Sequence, residues 1–68
     1  MNWHQIEGRW RQLKGSARRR WGRLNESDLE VIGGRKDVLV GKIQERYGIA
    51  KEIAERQVQA WYKAVMKG

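Results

Sequence analysis

The chain has 68 residues, so it is expected to form one small domain, over residues 1–68, with a limited core. It contains no cysteine, which excludes disulfides and cysteine-based zinc sites. Fifteen Lys and Arg against eight Asp and Glu give a net charge of +7, which favours polyanionic partners without specifying a task. No apolar run is long enough for a signal peptide or a membrane span, so we expect a soluble intracellular protein without membrane insertion.

Apolar residues recur at helical spacing between Trp3 and Leu24, while strand-like alternation is absent from the chain. The predicted first helix begins after Asn2, a favourable N-cap, and ends near Gly22. Each interior glycine lowers helix stability by about 1 kcal/mol relative to alanine, so we expect a bend or break near Gly15-Ser16. We expect burial of one apolar stripe to stabilise the helix in the folded protein. At about 100° per residue, the stripe spans roughly 80°. It consists of Trp3, Ile6, Trp10, Leu13, Ala17, Trp21 and Leu24.

The second predicted helix is short and has three start signals. Asn25 is an N-cap, Asp28 is placed to complete a capping box, and Leu24 and Leu29 are placed for a hydrophobic staple. The helix is expected to be interrupted at Gly33-Gly34.

Two further helices are predicted in the second half of the chain. One ends at Gly48, and its apolar face contains Leu39, Val40, Ile43 and Tyr47. The other runs from about Lys51 to Met66, and its stripe contains Ala50, Ala54, Val58, Trp61 and Val65. The fold class is therefore all-α, a small compact array of four helices in which Trp61 returns to the tryptophans of the first helix.

The sequence resembles the CsbD-like family over nearly its whole length. The densest match is the segment Leu39-Val40-Gly41-Lys42-Ile43-Gln44-Glu45-Arg46-Tyr47-Gly48, followed by Lys51-Glu52, Ala54-Glu55 and Trp61. The front of the chain matches at Trp3, Ile6-Glu7-Gly8, Trp10, Leu13-Lys14-Gly15, Trp21-Gly22 and Leu24.

The resemblance implies a cytoplasmic bacterial protein of the general stress response, without catalytic residues. It also implies a four-helix fold similar to sterile-alpha-motif-like arrays of two crossed helical hairpins. The chain departs from the family pattern in the basic run Arg18-Arg19-Arg20 and in Ile53, where an acidic residue is common. These positions lie off the apolar stripes, so the expected fold is unaffected.

Catalysis is not expected from this sequence. The single histidine, His4, is predicted to face solvent, and no second imidazole or thiol is present to build a nucleophile and base. Ser16 and Ser27 are predicted to lie in turns, where hydroxyls more often cap than attack. The acidic cluster of Glu26, Asp28 and Glu30 lacks the spacing of a calcium loop. We therefore expect no catalytic residue, metal, cofactor or small-molecule substrate.

Nucleic-acid binding is the more specific hypothesis. Residues 1–24 have seven basic side chains against Glu7 alone, a local charge of +6. The segment Gly33-Gly34-Arg35-Lys36 is expected to place backbone amides and two cations at a helix start, where phosphates are favoured. The alternative for this segment is a tight turn between helices. The candidate phosphate contacts are Arg18, Arg19, Arg20, Arg23, Arg35 and Lys36.

Two other hypotheses remain open. The last helix has an apolar flank of Ile53, Ala60 and Ala64, which is predicted either to pack on a partner or second copy or to be partly buried in the monomer. A monomer or a weak homo-oligomer is expected. Alternatively, the first helix could lie on anionic lipid with its tryptophans inserted, although its glycines disfavour this.

Overall fold

A computed structural model describes residues 2–67, and this part of the chain contains five α-helices and no strand. The helices are α1 (Trp3–Gly8), α2 (Trp10–Arg20), α3 (Glu26–Ile32), α4 (Lys36–Tyr47) and α5 (Lys51–Lys67). The all-α fold class is confirmed. The expected count of four helices differs from the five observed, because the predicted first helix is two helices.

The break in the first helix lies at Arg9, not at Gly15-Ser16 as predicted. Arg9 has φ −108° and ψ 12°, whereas Gly15 and Ser16 lie inside α2. The break accompanies a close contact of α1 with the turn between α3 and α4. A Cβ on Gly34 would lie 2.7 Å from Glu7 Cα, so the two backbones touch. The position of the break therefore goes with packing between distant residues. The glycine content of the segment alone did not identify it.

α2 also ends at Arg20, before the predicted end at Gly22. Trp21 leaves the helix at this point with φ −124° and ψ 82°, while its backbone N–H still bonds to Ala17 O at 2.8 Å. The Trp21 side chain is buried in the core, although its backbone is no longer helical.

The tryptophans of both chain ends meet in one core, as predicted. Trp61 lies 5.7 Å from Trp21, 6.3 Å from Trp10 and 6.4 Å from Trp3, measured between ring centroids. Tyr62 stacks on Trp3 at 5.1 Å and accepts a hydrogen bond from the Asn2 N–H. Burial of large aromatic side chains is a main source of stability in so short a chain.

The predicted helix caps are confirmed. Asn25 accepts the Asp28 N–H at 2.8 Å, and the Asp28 carboxylate accepts the Asn25 N–H, which completes the capping box. Asn2 caps α1 by accepting the His4 N–H. Gly48 ends α4 with φ +62°, a left-handed conformation in which glycine avoids the clash of a Cβ. These caps define the loops that position the basic residues.

Candidate nucleic-acid interface

Four of the six candidate contacts are exposed and lie close together along the chain, and we call them the arginine cluster: Arg18, Arg19, Arg20 and Arg23. The first three occupy the last turn of α2, where cations interact favourably with the helix dipole. The fourth lies in the loop before α3. Arg18 is 3.7 Å from Glu26, but the described residues provide no carboxylate partner for the other three.

Two guanidinium groups of the arginine cluster are held by aromatic rings. Arg20 Cζ lies 5.3 Å from the centroid of the Trp21 ring, and Arg23 Cζ lies 5.5 Å from that of Tyr47. The Arg23 backbone N–H also donates to the Tyr47 hydroxyl at 3.1 Å. A guanidinium stacked on a ring keeps its in-plane N–H groups free. Such groups match phosphate oxygens in geometry and charge.

The side of α2 that faces α3 is neutralised. Lys14 Nζ lies 2.9 Å from Glu30 and 3.2 Å from Glu26, and these hydrogen bonds raise the pKa of Lys14, with Glu30 contributing most. Glu26 also forms an ion pair with Arg18. The cations of α2 therefore divide into a paired group beside α3 and the unpaired arginines beyond it.

Asp28 joins the start of α3 to the end of α4. Its carboxylate is 3% exposed and accepts two hydrogen bonds from the Arg46 guanidinium, at 2.8 and 2.9 Å. Lys42 Nζ is 3.6 Å away. The Arg46 hydrogen bonds, aided by the Asn25 N–H and by Lys42, lower the pKa of Asp28 to about 2 against the opposing effect of burial. This ion pair holds the last turn of α4, and with it Tyr47, beside the arginine cluster.

Arg35 and Lys36 lie apart from the arginine cluster. They stand at the N-terminus of α4, whereas Arg23 contacts Tyr47 at its C-terminus. Twelve helical residues separate the two ends by about 18 Å. The N–H groups of Gly33 and Arg35 bond to Leu29 O and Ile32 O, so these amides serve the turn itself. The structure thus divides the six candidates into two groups, and phosphate binding by either remains a prediction.

His4 and Ser16, two side chains considered for chemistry, lie on α1 and α2. His4 is exposed, as expected, and its Nδ1 lies 3.4 Å from Glu7. Ser16 is helical rather than in a turn, and its hydroxyl accepts a hydrogen bond from Trp61 Nε1. Within residues 2–67, no cluster of three potential metal ligands occurs, and no helix combines the length and hydropathy needed to cross a bilayer.

Comparisons with known proteins identify relatives that match about nine tenths of the chain. The CsbD-like family profile matches residues 4–56. The chain belongs to the CsbD-like family. A UPF0337 protein of Pectobacterium atrosepticum is 54% identical over 61 residues, covering 90% of this chain and 88% of that protein. The UPF0337 protein YjbJ of Salmonella typhi is 49% identical over 61 residues, covering 90% and 87%. No solved structure matches.

Sequence reasoning missed the aromatic partners of the arginines in this CsbD-like chain. Trp21 directly follows Arg20, so the contact between these two side chains had a local signal in the sequence. Arg23 and Tyr47 are 24 residues apart and lie on different elements. Their contact depends on the Asp28 and Arg46 pair that closes α3 against α4, for which the sequence provides no local pattern.

Proposed function

We propose that this CsbD-like chain is a non-enzymatic, cytoplasmic stress-response protein that binds nucleic acid without sequence preference. The stress-response role rests on the family, and the binding role rests on the arginine cluster. The single observation that carries the binding role is the position of the Arg20 and Arg23 guanidinium groups over aromatic rings, without a carboxylate partner among the described residues.

Phosphate is the group that this arrangement fits best. The cations are exposed, and at least two of them are held in place before a ligand arrives, which reduces the entropic cost of binding. Guanidinium contacts to phosphate oxygens fix the position of a protein on nucleic acid and carry no sequence information. Contacts of this type bind the backbone of any sequence, and their affinity falls with salt.

The test is binding of a labelled double-stranded DNA of random sequence, followed by fluorescence anisotropy at several salt concentrations. Neutralising two to four phosphates predicts a slope of log K against log salt between about −2 and −4. The combined variant Arg19→Ala, Arg20→Ala and Arg23→Ala should weaken binding and make the slope shallower by about 2 or more. Circular dichroism checks that the variant is folded.

The matched control removes three other exposed cations, by Arg56→Ala, Lys63→Ala and Lys67→Ala on α5. This variant lowers the net charge by the same amount as the arginine variant. It should therefore reduce the long-range attraction to DNA but keep most of the slope of log K against log salt. Equal losses in the two triple variants would show that net charge alone causes binding. No binding at low salt would refute the proposed mechanism.

A further inference from the structure

The outer face of α5 carries an apolar stripe that the monomer covers only in part. Ile53 is 46% exposed, and Ala60 and Ala64 are also exposed. At about 100° per residue these three positions fall within an arc of about 40°. The monomer thus covers part of Ile53 and leaves the rest of this flank open to solvent. Because Ala60 and Ala64 have small side chains, the backbone of another helix could approach α5 closely at these positions.

A row of cations borders this stripe on its solvent side. Arg56, Lys63 and Lys67 are exposed and lie about 60° further round the helix. Glu55 lies about 160° from Ile53 and does not face the stripe, whereas Glu52 lies about 100° from it, one turn before Arg56. The border therefore carries three cations and one carboxylate, and its net charge is positive.

α2 forms the other border. It runs antiparallel to α5, since Ser16 Oγ accepts from Trp61 Nε1 and Trp21 Nε1 donates to Gln57 Oε1 at 3.0 Å. The guanidinium of Arg20 covers the Trp21 ring, so this side also carries a cation, and α2 contains no carboxylate. An apolar stripe thus lies between two basic borders.

This charge pattern disfavours a second copy of the chain as the occupant. In an antiparallel pair of α5 helices, this net positive border would face the same border of the other copy. In a parallel pair it would face the border of the other copy that carries Arg20. Like charges across an interface are repulsive and cost affinity. A complementary occupant has apolar residues at helical spacing with carboxylates on both sides.

We propose that the face formed by α5 and the adjoining edge of α2 binds an acidic amphipathic helix of another protein. The apolar residues of that helix pack on Ile53, Ala60 and Ala64, and its carboxylates pair with the cations of the two borders. This is the helix-in-groove mode of recognition. The short stripe places the contact among small, transient interfaces. The proposal does not depend on nucleic-acid binding.

The test uses a fluorescein-labelled synthetic peptide of about 18 residues, or five helical turns. It has Leu at helical spacing on one face and Glu on both flanks. Anisotropy with the full chain should show saturable binding. Ile53→Ser should weaken this binding by about tenfold or more, because it removes the apolar anchor without changing charge. Val31→Ser on α3 is the matched control, since Val31 is 53% exposed, and it should alter affinity by less than about twofold.

Two further peptides separate shape from charge. A peptide of the same composition in scrambled order has no apolar face and should bind at least about tenfold more weakly, and a peptide with Lys in place of Glu should not bind. Equal binding of the scrambled peptide, or equal losses from both serine variants, would overturn the proposal. Self-association measured by light scattering and abolished by Ile53→Ser would also overturn it, in favour of a second copy. Ile53→Ser should leave DNA affinity unchanged, so the two proposals fail independently.

Discussion

At the scale of single residues, Asp28 has two structural roles. Its carboxylate completes the capping box of α3 and also forms the ion pair with Arg46 of α4. A buried carboxylate is stable in its charged form only when hydrogen bonds and cations replace the lost water, and here the guanidinium, a backbone N–H and Lys42 do so. One side chain thus sets both where α3 begins and how α4 lies against it.

The lowered pKa of Asp28 predicts a pH-dependent stability. Its pKa of about 2 is below the value in an unfolded chain, about 3.9, so its contribution is complete above about pH 5 and is lost as the pH falls towards 2. Asp28→Asn should cost about 2–3 kcal/mol at pH 7, because it leaves the pair and the cap incomplete. Urea denaturation at pH 2, 3, 4, 5 and 7 checks this.

The stability difference between wild type and Asp28→Asn should shrink steadily below pH 5. Glu55→Gln, at an exposed carboxylate of α5, is the control and should follow the wild type within about 0.5 kcal/mol. A difference for Asp28→Asn that is constant from pH 7 to pH 2 would contradict the assigned role of the carboxylate.

At the scale of elements, α2 is a helix whose intrinsic propensity is poor and whose position is fixed by its neighbours. Trp10 Nε1 donates to Leu29 O of α3, and Trp61 Nε1 donates to Ser16 of α2. Lys14 adds its ion pairs to α3. These contacts hold Gly15 in a helical conformation that its own propensity disfavours.

Gly15→Ala is therefore expected to stabilise the protein by about 0.5–1 kcal/mol, because a Cβ there meets no atom within 4 Å and restricts the unfolded chain. The midpoint of urea unfolding measures the change. Gly34→Ala is the opposite case and should destabilise by about 1–3 kcal/mol, since φ is +84° and the Cβ would overlap Glu7. A destabilised Gly15→Ala variant would show that α2 is not continuous through this position.

At the scale of the whole molecule, Trp61 is the contact that closes the fold. It meets Trp3, Trp10 and Trp21 and so joins α1, α2, the following loop and α5 in one core. The basic residues lie outside this core because their charges would be costly to bury. The two proposed binding surfaces therefore depend on the same internal packing.

Trp61→Ala should destabilise the protein by about 3–5 kcal/mol, which is comparable to the total stability that a core of this size provides. The cooperative thermal transition should move close to room temperature or disappear. Trp61→Phe keeps a ring but loses the hydrogen bond to Ser16, so a smaller loss of about 1–2 kcal/mol is expected. An unchanged melting temperature for Trp61→Ala, followed by circular dichroism, would contradict this account of the core.

The sequence alone determined the helical class, the caps at Asn2, Asn25 and Gly48, and the meeting of the four tryptophans. These features follow from local spacing and propensity, because a periodic apolar stripe has to be buried and a cap acts within one turn. The candidate cations were also visible in the sequence.

Only the tertiary structure decided where the first helix breaks and which cations act together. The break at Arg9 accompanies the contact between Gly34 and Glu7, which are 27 residues apart. Likewise, Arg23 reaches Tyr47 because α4 folds back along α3, and the same fold separates Arg35 from the arginine cluster. A buried stripe shows that two helices must pack, but which residues outside the stripes then touch depends on how the helices pack, and no local pattern in a single sequence records that arrangement.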